Sequence, residues 1–245
     1  MLKPRTILQA LLAGLAYAAG LYLVWLFLPL PGNWRPAAGL APALGLLFGP
    51  AGAAAAALGN FLFDLRDEID FGTFPGVLGN FFFAYLPYRV AGHLPGFERR
   101  PRFSARWILF YLYLALLGAA ACGTVIGFGL ELPRLAAFGV RGVGITLSNF
   151  VCAAMLGWLP LFLYSGLASR GWAYLPPPAV PSRRKTVGFW MMQVGLLAAF
   201  IPGALTSAGV IPPLADYLVG GSQAPAAGPI MAPGMVLFFL GAILL

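Results

Sequence analysis

Asparagine stands directly before phenylalanine three times in this chain, at Gly59-Asn60-Phe61, Gly79-Asn80-Phe81 and Ser148-Asn149-Phe150. Each asparagine interrupts an apolar run. A side-chain amide brings two N–H donors and two acceptor lone pairs, and leaving it unpaired in an apolar medium costs about 2–7 kcal/mol. Three such groups either bond to one another across helices or line a pocket in which a polar ligand completes their bonding. Asp64 follows Asn60 by four residues and so shares its helical face. It is a candidate ligand contact, although it also opens the charged run Asp64–Asp70, whose plain reading is a solvated loop. Glu131 is a weaker candidate of the same kind. Asn33-Trp34-Arg35 is the remaining polar cluster. Its guanidinium offers five fixed donors to a carboxylate or phosphate, but Trp and Arg together also serve as an interfacial anchor.

No catalytic set accompanies these groups. The chain has one histidine, His93, no Gly-rich phosphate loop and no HExxH motif, which argues against hydrolase, ATPase and metalloprotease chemistry. The two cysteines, Cys122 and Cys152, lie within apolar runs and read as small hydrophobes. With a single histidine they are too few to make a metal site. Neither an enzyme activity nor a cofactor is expected.

The medium that surrounds these groups follows from composition. The 245 residues are 60% hydrophobic and 9% charged, with a mean hydropathy of +0.86, whereas soluble domains carry about 25% charged residues. The chain is expected to be an all-α, polytopic membrane bundle. Its net charge of +8 has no basic domain to carry it, which argues against a nucleic-acid partner.

Apolar segments run over Ile7–Leu30, Val77–Gly92, Trp107–Leu130, Gly144–Leu167, Val187–Val210 and Pro229–Leu245. The first is 24 residues long, beyond the roughly 7–15 of a signal-peptide core, and reads as an uncleaved helix. Ala37–Phe63 is interrupted by Gly49-Pro50, and charge decides how it is threaded. If the chain turns back there, ten Lys/Arg lie on the side of the N-terminus, namely Lys3 and Arg5, four at Arg99–Arg106, and four at Arg170 and Arg183–Lys185. Arg35, Arg66, Arg134 and Arg141 lie opposite. The positive-inside rule favours that threading. It gives about eight apolar segments with both termini cytoplasmic. Residues 1–170 form a six-helix unit, 171–186 a Pro-rich basic linker, and 187–245 a terminal pair.

On this topology all four asparagines fall on the extracytoplasmic side, and Asn60, Asn80 and Asn149 share one depth on three helices. Helix one carries Ala10, Gly14 and Ala18 at four-residue spacing. Small residues so spaced let helices approach closely, either inside the chain or against a separate membrane subunit.

The stretch RPAAGLAPALGLLFGPAGAAAAALGNFLFDL (Arg35–Leu65) resembles the second and third helices of the substrate-binding S components of energy-coupling factor (ECF) transporters. GVLGNFFFAYLPYRV (Gly76–Val90) is similar to their fourth helix, and ITLSNFVCAAMLGWLPLFLY (Ile145–Tyr164) to their sixth. The resemblance covers about Met1–Arg170. It implies a subunit of the bacterial cytoplasmic membrane that captures a vitamin-like small molecule from outside. It further implies docking through Ala10, Gly14 and Ala18 onto a transmembrane coupling protein driven by two ATPase subunits. Asn60, Asp64, Asn80 and Asn149 would line the pocket, and Asn33, Trp34 and Arg35 would lie in the loop covering it. The segments over Val187–Leu245 depart from that pattern. They fit equally an eight-helix membrane sensor at the front of a bacterial signalling kinase or cyclase. A structural subunit of a membrane complex is the third reading.

Overall fold

The computed structural model describes residues 4–28, 34–66, 69–98, 104–169, 182–210 and 227–245. Asn33, Lys3, Arg99, Arg100, Arg102, Arg170 and most of the 171–186 linker lie outside them. Among the described residues every regular element is helical: α1 (Pro4–Phe27), a 3-10 turn (Pro36–Leu40), α2 (Ala41–Phe48), α3 (Pro50–Asp64), α4 (Thr73–Ala91), α5 (Ala105–Glu131), α6 (Gly144–Leu156), α7 (Trp158–Ser169), α8 (Arg183–Ser207) and α9 (Gly228–Leu244). Four helical stretches are long and apolar enough to cross a membrane: Ile7–Phe27, Ala105–Glu131, Gly139–Gly166 and Arg183–Ser207.

The reversal at Gly49-Pro50 takes a specific form. Gly49 adopts φ +63 and ends α2, a left-handed backbone that only glycine takes at no steric cost. Pro50 then opens α3, where its missing N–H has no helical partner to lose. The chain folds back on itself, so that a Cβ on Gly52 would run into the Leu44 carbonyl and lie 3.0 Å from Phe48 Cβ. Every residue of α2 is buried. With the 3-10 turn it forms one apolar helical stretch, Pro36–Phe48, which rises about 22 Å, short of the roughly 30 Å of a hydrocarbon core, and its α2 part is shielded by protein on all sides. α3 then runs parallel to α1, pairing Gly14 with Ala55 and Tyr22 with Phe63. The ends of α1 and α3 therefore emerge together.

The apolar run Gly144–Leu167 lies in one long helical stretch that is not uniform. A π-helical turn (Gly139–Val143) precedes it, and a turn at Gly157 divides it into α6 and α7, where Pro160 has no N–H to give the Leu156 carbonyl. Gly157 itself must be glycine, since a side chain there would collide with the Tyr111 hydroxyl and the Gly39 carbonyl. Of the two readings of the stripe Ala10, Gly14 and Ala18, the structure favours packing inside the chain. Ala10 and Ala18 are 2% and 5% exposed, and a Cβ on Gly14 would lie 2.9 Å from Ala55 O. Gly14 and Ala18 pack against Ala55 and Gly59 of α3, and α1 presents Leu8, Leu11, Leu12 and Leu15 outward.

Helices α8 and α9 pair in a way the sequence reading did not anticipate. Gly188 meets Gly241 and Gly195 meets Gly234, each with a hypothetical Cβ 2.8 Å from the partner's carbonyl oxygen. Glycines seven residues apart on both helices keep the two backbones in contact. The pair joins the rest through Tyr113 of α5, whose hydroxyl donates to Gln193 Oε1, and through Gly139 N, which donates to Ser207 Oγ at 2.9 Å.

The elbow generates a stability test. Gly49→Ala forces an L-residue to φ +63, ψ −137, a region essentially open to glycine alone, and should cost about 1–3 kcal/mol, lowering the thermal midpoint of the detergent-solubilised protein. Gly166→Ala, in α7 where an added Cβ meets nothing within 4 Å, should leave the midpoint unchanged or raise it slightly, since alanine is the better helix former.

Candidate functional site

The three asparagines line one cavity of about 520 Å³, a size typical of small-molecule sites. It opens at the end of the bundle where α1 and α3 emerge. Four helical stripes build it, each at three- or four-residue spacing: Asn60 and Asp64 on α3, Thr73, Gly76 and Asn80 on α4, Cys122, Ile126 and Leu130 on α5, and Arg141, Ile145 and Asn149 on the π-turn and α6. Asn80 lies seven residues below Thr73, so the cavity is about 10 Å deep. Arg35 and Asp70 stand among its polar lining groups.

Why glycine precedes two of these asparagines is now evident. A Cβ on Gly59 would lie 2.7 Å from the Tyr17 ring, and one on Gly79 would lie 2.6 Å from Ile126. Each glycine draws a neighbouring helix close, and the asparagine one residue on turns toward the cavity. Among the phenylalanines that follow, Phe81 stacks on Tyr85, a packing role.

The amides are bonded differently. Asn80 is held at both ends within the protein: Tyr17 Oη donates to its Oδ1 at 3.3 Å, and its Nδ2 donates to Gly76 O at 2.9 Å. Asn60 Nδ2 donates to Asp64 Oδ2 at 2.7 Å. Asn149 Nδ2 donates to Cys122 Sγ at 3.4 Å. The three are 3%, 6% and 6% exposed for Asn60, Asn80 and Asn149, so none faces lipid. Arg35 Nη1 lies 3.7 Å from Asp64 Oδ1, outside direct hydrogen-bond range. Both groups are partly solvated, and the pair contributes at most about 1 kcal/mol to stability. Phe63 is flanked by two guanidinium groups, with Arg66 3.7 Å and Arg35 5.1 Å from its ring centre.

Of the residues singled out from sequence, Arg35, Asn60, Asp64, Asn80 and Asn149 come together here. Trp34 is exposed and does not line the cavity, and Asn33 lies outside the described residues. Tyr17, Asp70, Thr73, Cys122 and Arg141 were missed. Cys122 and Arg141 were legible as one-turn and two-turn neighbours of Ile126 and Asn149, but nothing in the sequence marked Tyr17 as the partner of an amide on α4. His93 is remote from the site. It stacks on Phe189 at 4.9 Å, and burial pushes its imidazole below the usual range. No group of His, Cys, Asp or Glu among the described residues could hold a metal ion.

Glu131 has a different task. Its carboxylate is buried just past the cavity residue Leu130. Oε2 accepts from Phe138 N at 3.1 Å, and Oε1 accepts from Ala227 N at 2.7 Å. One side chain thereby holds the approach to α6 and the start of α9, the acid-at-N-terminus arrangement that helix dipoles favour. Glu131→Gln supplies one acceptor where two are needed and should cost about 1–3 kcal/mol, read as a lowered thermal midpoint.

No protein-family model, no curated protein and no solved structure matches the chain.

Proposed function

We propose that this chain is an integral membrane solute-binding subunit that captures a vitamin-like small molecule at the extracytoplasmic face, as an S component of an ECF-type uptake transporter does. The observation that carries this reading is the single cavity into which Asn60 and Asn149 turn from separate helices, beside Arg35 and Asp64. Asparagines acting only as interhelical glue would have both the oxygen and the nitrogen bonded to protein, as Asn80 does. Among the described residues, however, the Oδ1 atoms of Asn60 and Asn149 receive no hydrogen bond. A polar solute would complete them. On the charge-derived topology of about eight segments with cytoplasmic termini, the cavity opens outward in a bacterial cytoplasmic membrane. The six-helix unit would be the binding body, and a coupling protein with two ATPase subunits would drive its reorientation. Because Ala10, Gly14 and Ala18 pack internally, a coupling protein would meet the leucine face of α1.

One observation favours the second reading, a membrane-embedded sensory input domain. Glu131 ties the cavity wall at Leu130 to the first turn of α9, so that occupancy of the cavity has a direct mechanical route to the C-terminal pair.

Native mass spectrometry of the purified protein tests the binding role common to both. A small molecule should be retained, and Asn60→Leu or Asn149→Leu should abolish its retention. Retention that is unchanged in both variants would contradict the site.

A further inference from the structure

Which chemical class fits follows from the polarity of the lining. Among the described residues that line it, the cavity counts two guanidinium groups, Arg35 and Arg141, and two carboxylates, Asp64 and Asp70, so neither sign of charge dominates them. The orientation of Asn60 is fixed by chemistry. Its Nδ2 faces the Asp64 carboxylate, which accepts only, so its Oδ1 is an acceptor edge. Beside it, Arg35 and Asp64 stand 3.7 Å apart, near enough to attract but not hydrogen-bonded in the direct range. A lone carboxylate entering here draws Arg35 from Asp64, and a lone ammonium competes with Arg35 for it. A molecule bearing both signs replaces one loose ion pair with two charge-assisted bonds. The remaining wall, Ile126, Leu130, Leu135 and Ile145, is apolar. Asn149 adapts to either polarity, since its partner, the Cys122 thiol, can accept or donate.

We infer that the solute is a small zwitterion of the apolar amino-acid class, its ammonium set against Asn60 and Asp64, its carboxylate against Arg35, and its side chain along the Ile126–Ile145 wall. This rests on the solute-binding reading above. The test uses purified full-length protein in mild detergent and three probes: leucine, N-acetyl-leucine, which lacks the ammonium, and leucine amide, which lacks the carboxylate. Binding is read by calorimetry. Leucine should bind, and each blocked probe should bind about tenfold or more weakly, a factor that corresponds to about 1.4 kcal/mol. Arg35→Ala should remove the preference for leucine over its amide, and Asp64→Asn should remove the preference over N-acetyl-leucine. Thermal midpoints close to the parent's show that both variants remain folded. Equal binding of all three probes would overturn the zwitterion. So would retention of an unrelated molecule by a protein that binds none of the three, an outcome that leaves the cavity reading intact. A protein that neither retains nor binds any molecule would overturn both.

Discussion

The cost of placing an amide in a nearly all-apolar bundle is the constraint around which this structure is arranged. An unpaired amide is worth several kcal/mol against folding in such surroundings. The structure answers in two ways. Asn80 is closed off by Tyr17 and Gly76 and becomes part of the frame. Asn60 and Asn149 are tied by one edge only, to Asp64 and Cys122, and turn the other toward an open cavity. The same residue type thus builds the wall and equips it.

Close helix approaches that only glycine permits position Asn60 and Asn80. Gly59 admits Tyr17, Gly79 admits Ile126, and a Cβ on Gly45 would run into the Ala84 carbonyl. The elbow at Gly49 folds α2 into the centre, where its bulk replaces that of a spanning helix. This brings Arg35 and Asp64, 29 positions apart in the numbering of the ion pair, to one end of the bundle. Glu131 then fastens the start of α9 to the same end through Ala227 N, and the approach to α6 through Phe138 N.

Much of this was legible in the sequence for identifiable reasons. The apolar runs mark α1, α4, α5 and α8 to within a few residues, because a long uninterrupted apolar run is visible in composition alone. Gly49-Pro50 marks the reversal, because its two residues punish a continuous helix. The meeting of Asn60, Asn80 and Asn149 at one cavity agrees with the threading drawn from the apolar segments and their flanking charges. What stayed hidden depended on which face meets which. The small stripe Ala10, Gly14 and Ala18 reads the same whether it meets α3 or another subunit. Gly157 looks like any helix glycine until Tyr111 and Gly39 stand opposite it. Glu131 resembles a surface acid unless two backbone donors from distant segments are known to converge on it.

The central claim is that the amides face a polar cavity reached from outside the membrane. Labelling of Ile126→Cys in a Cys122→Ala, Cys152→Ala background, using a membrane-impermeant thiol reagent on right-side-out vesicles, tests it most directly. The account predicts modification from the outer face without permeabilisation, slowed by whatever occupies the cavity. Modification only after the vesicles are opened, or none at all while Ile69→Cys in the neighbouring exposed loop reacts, would contradict it.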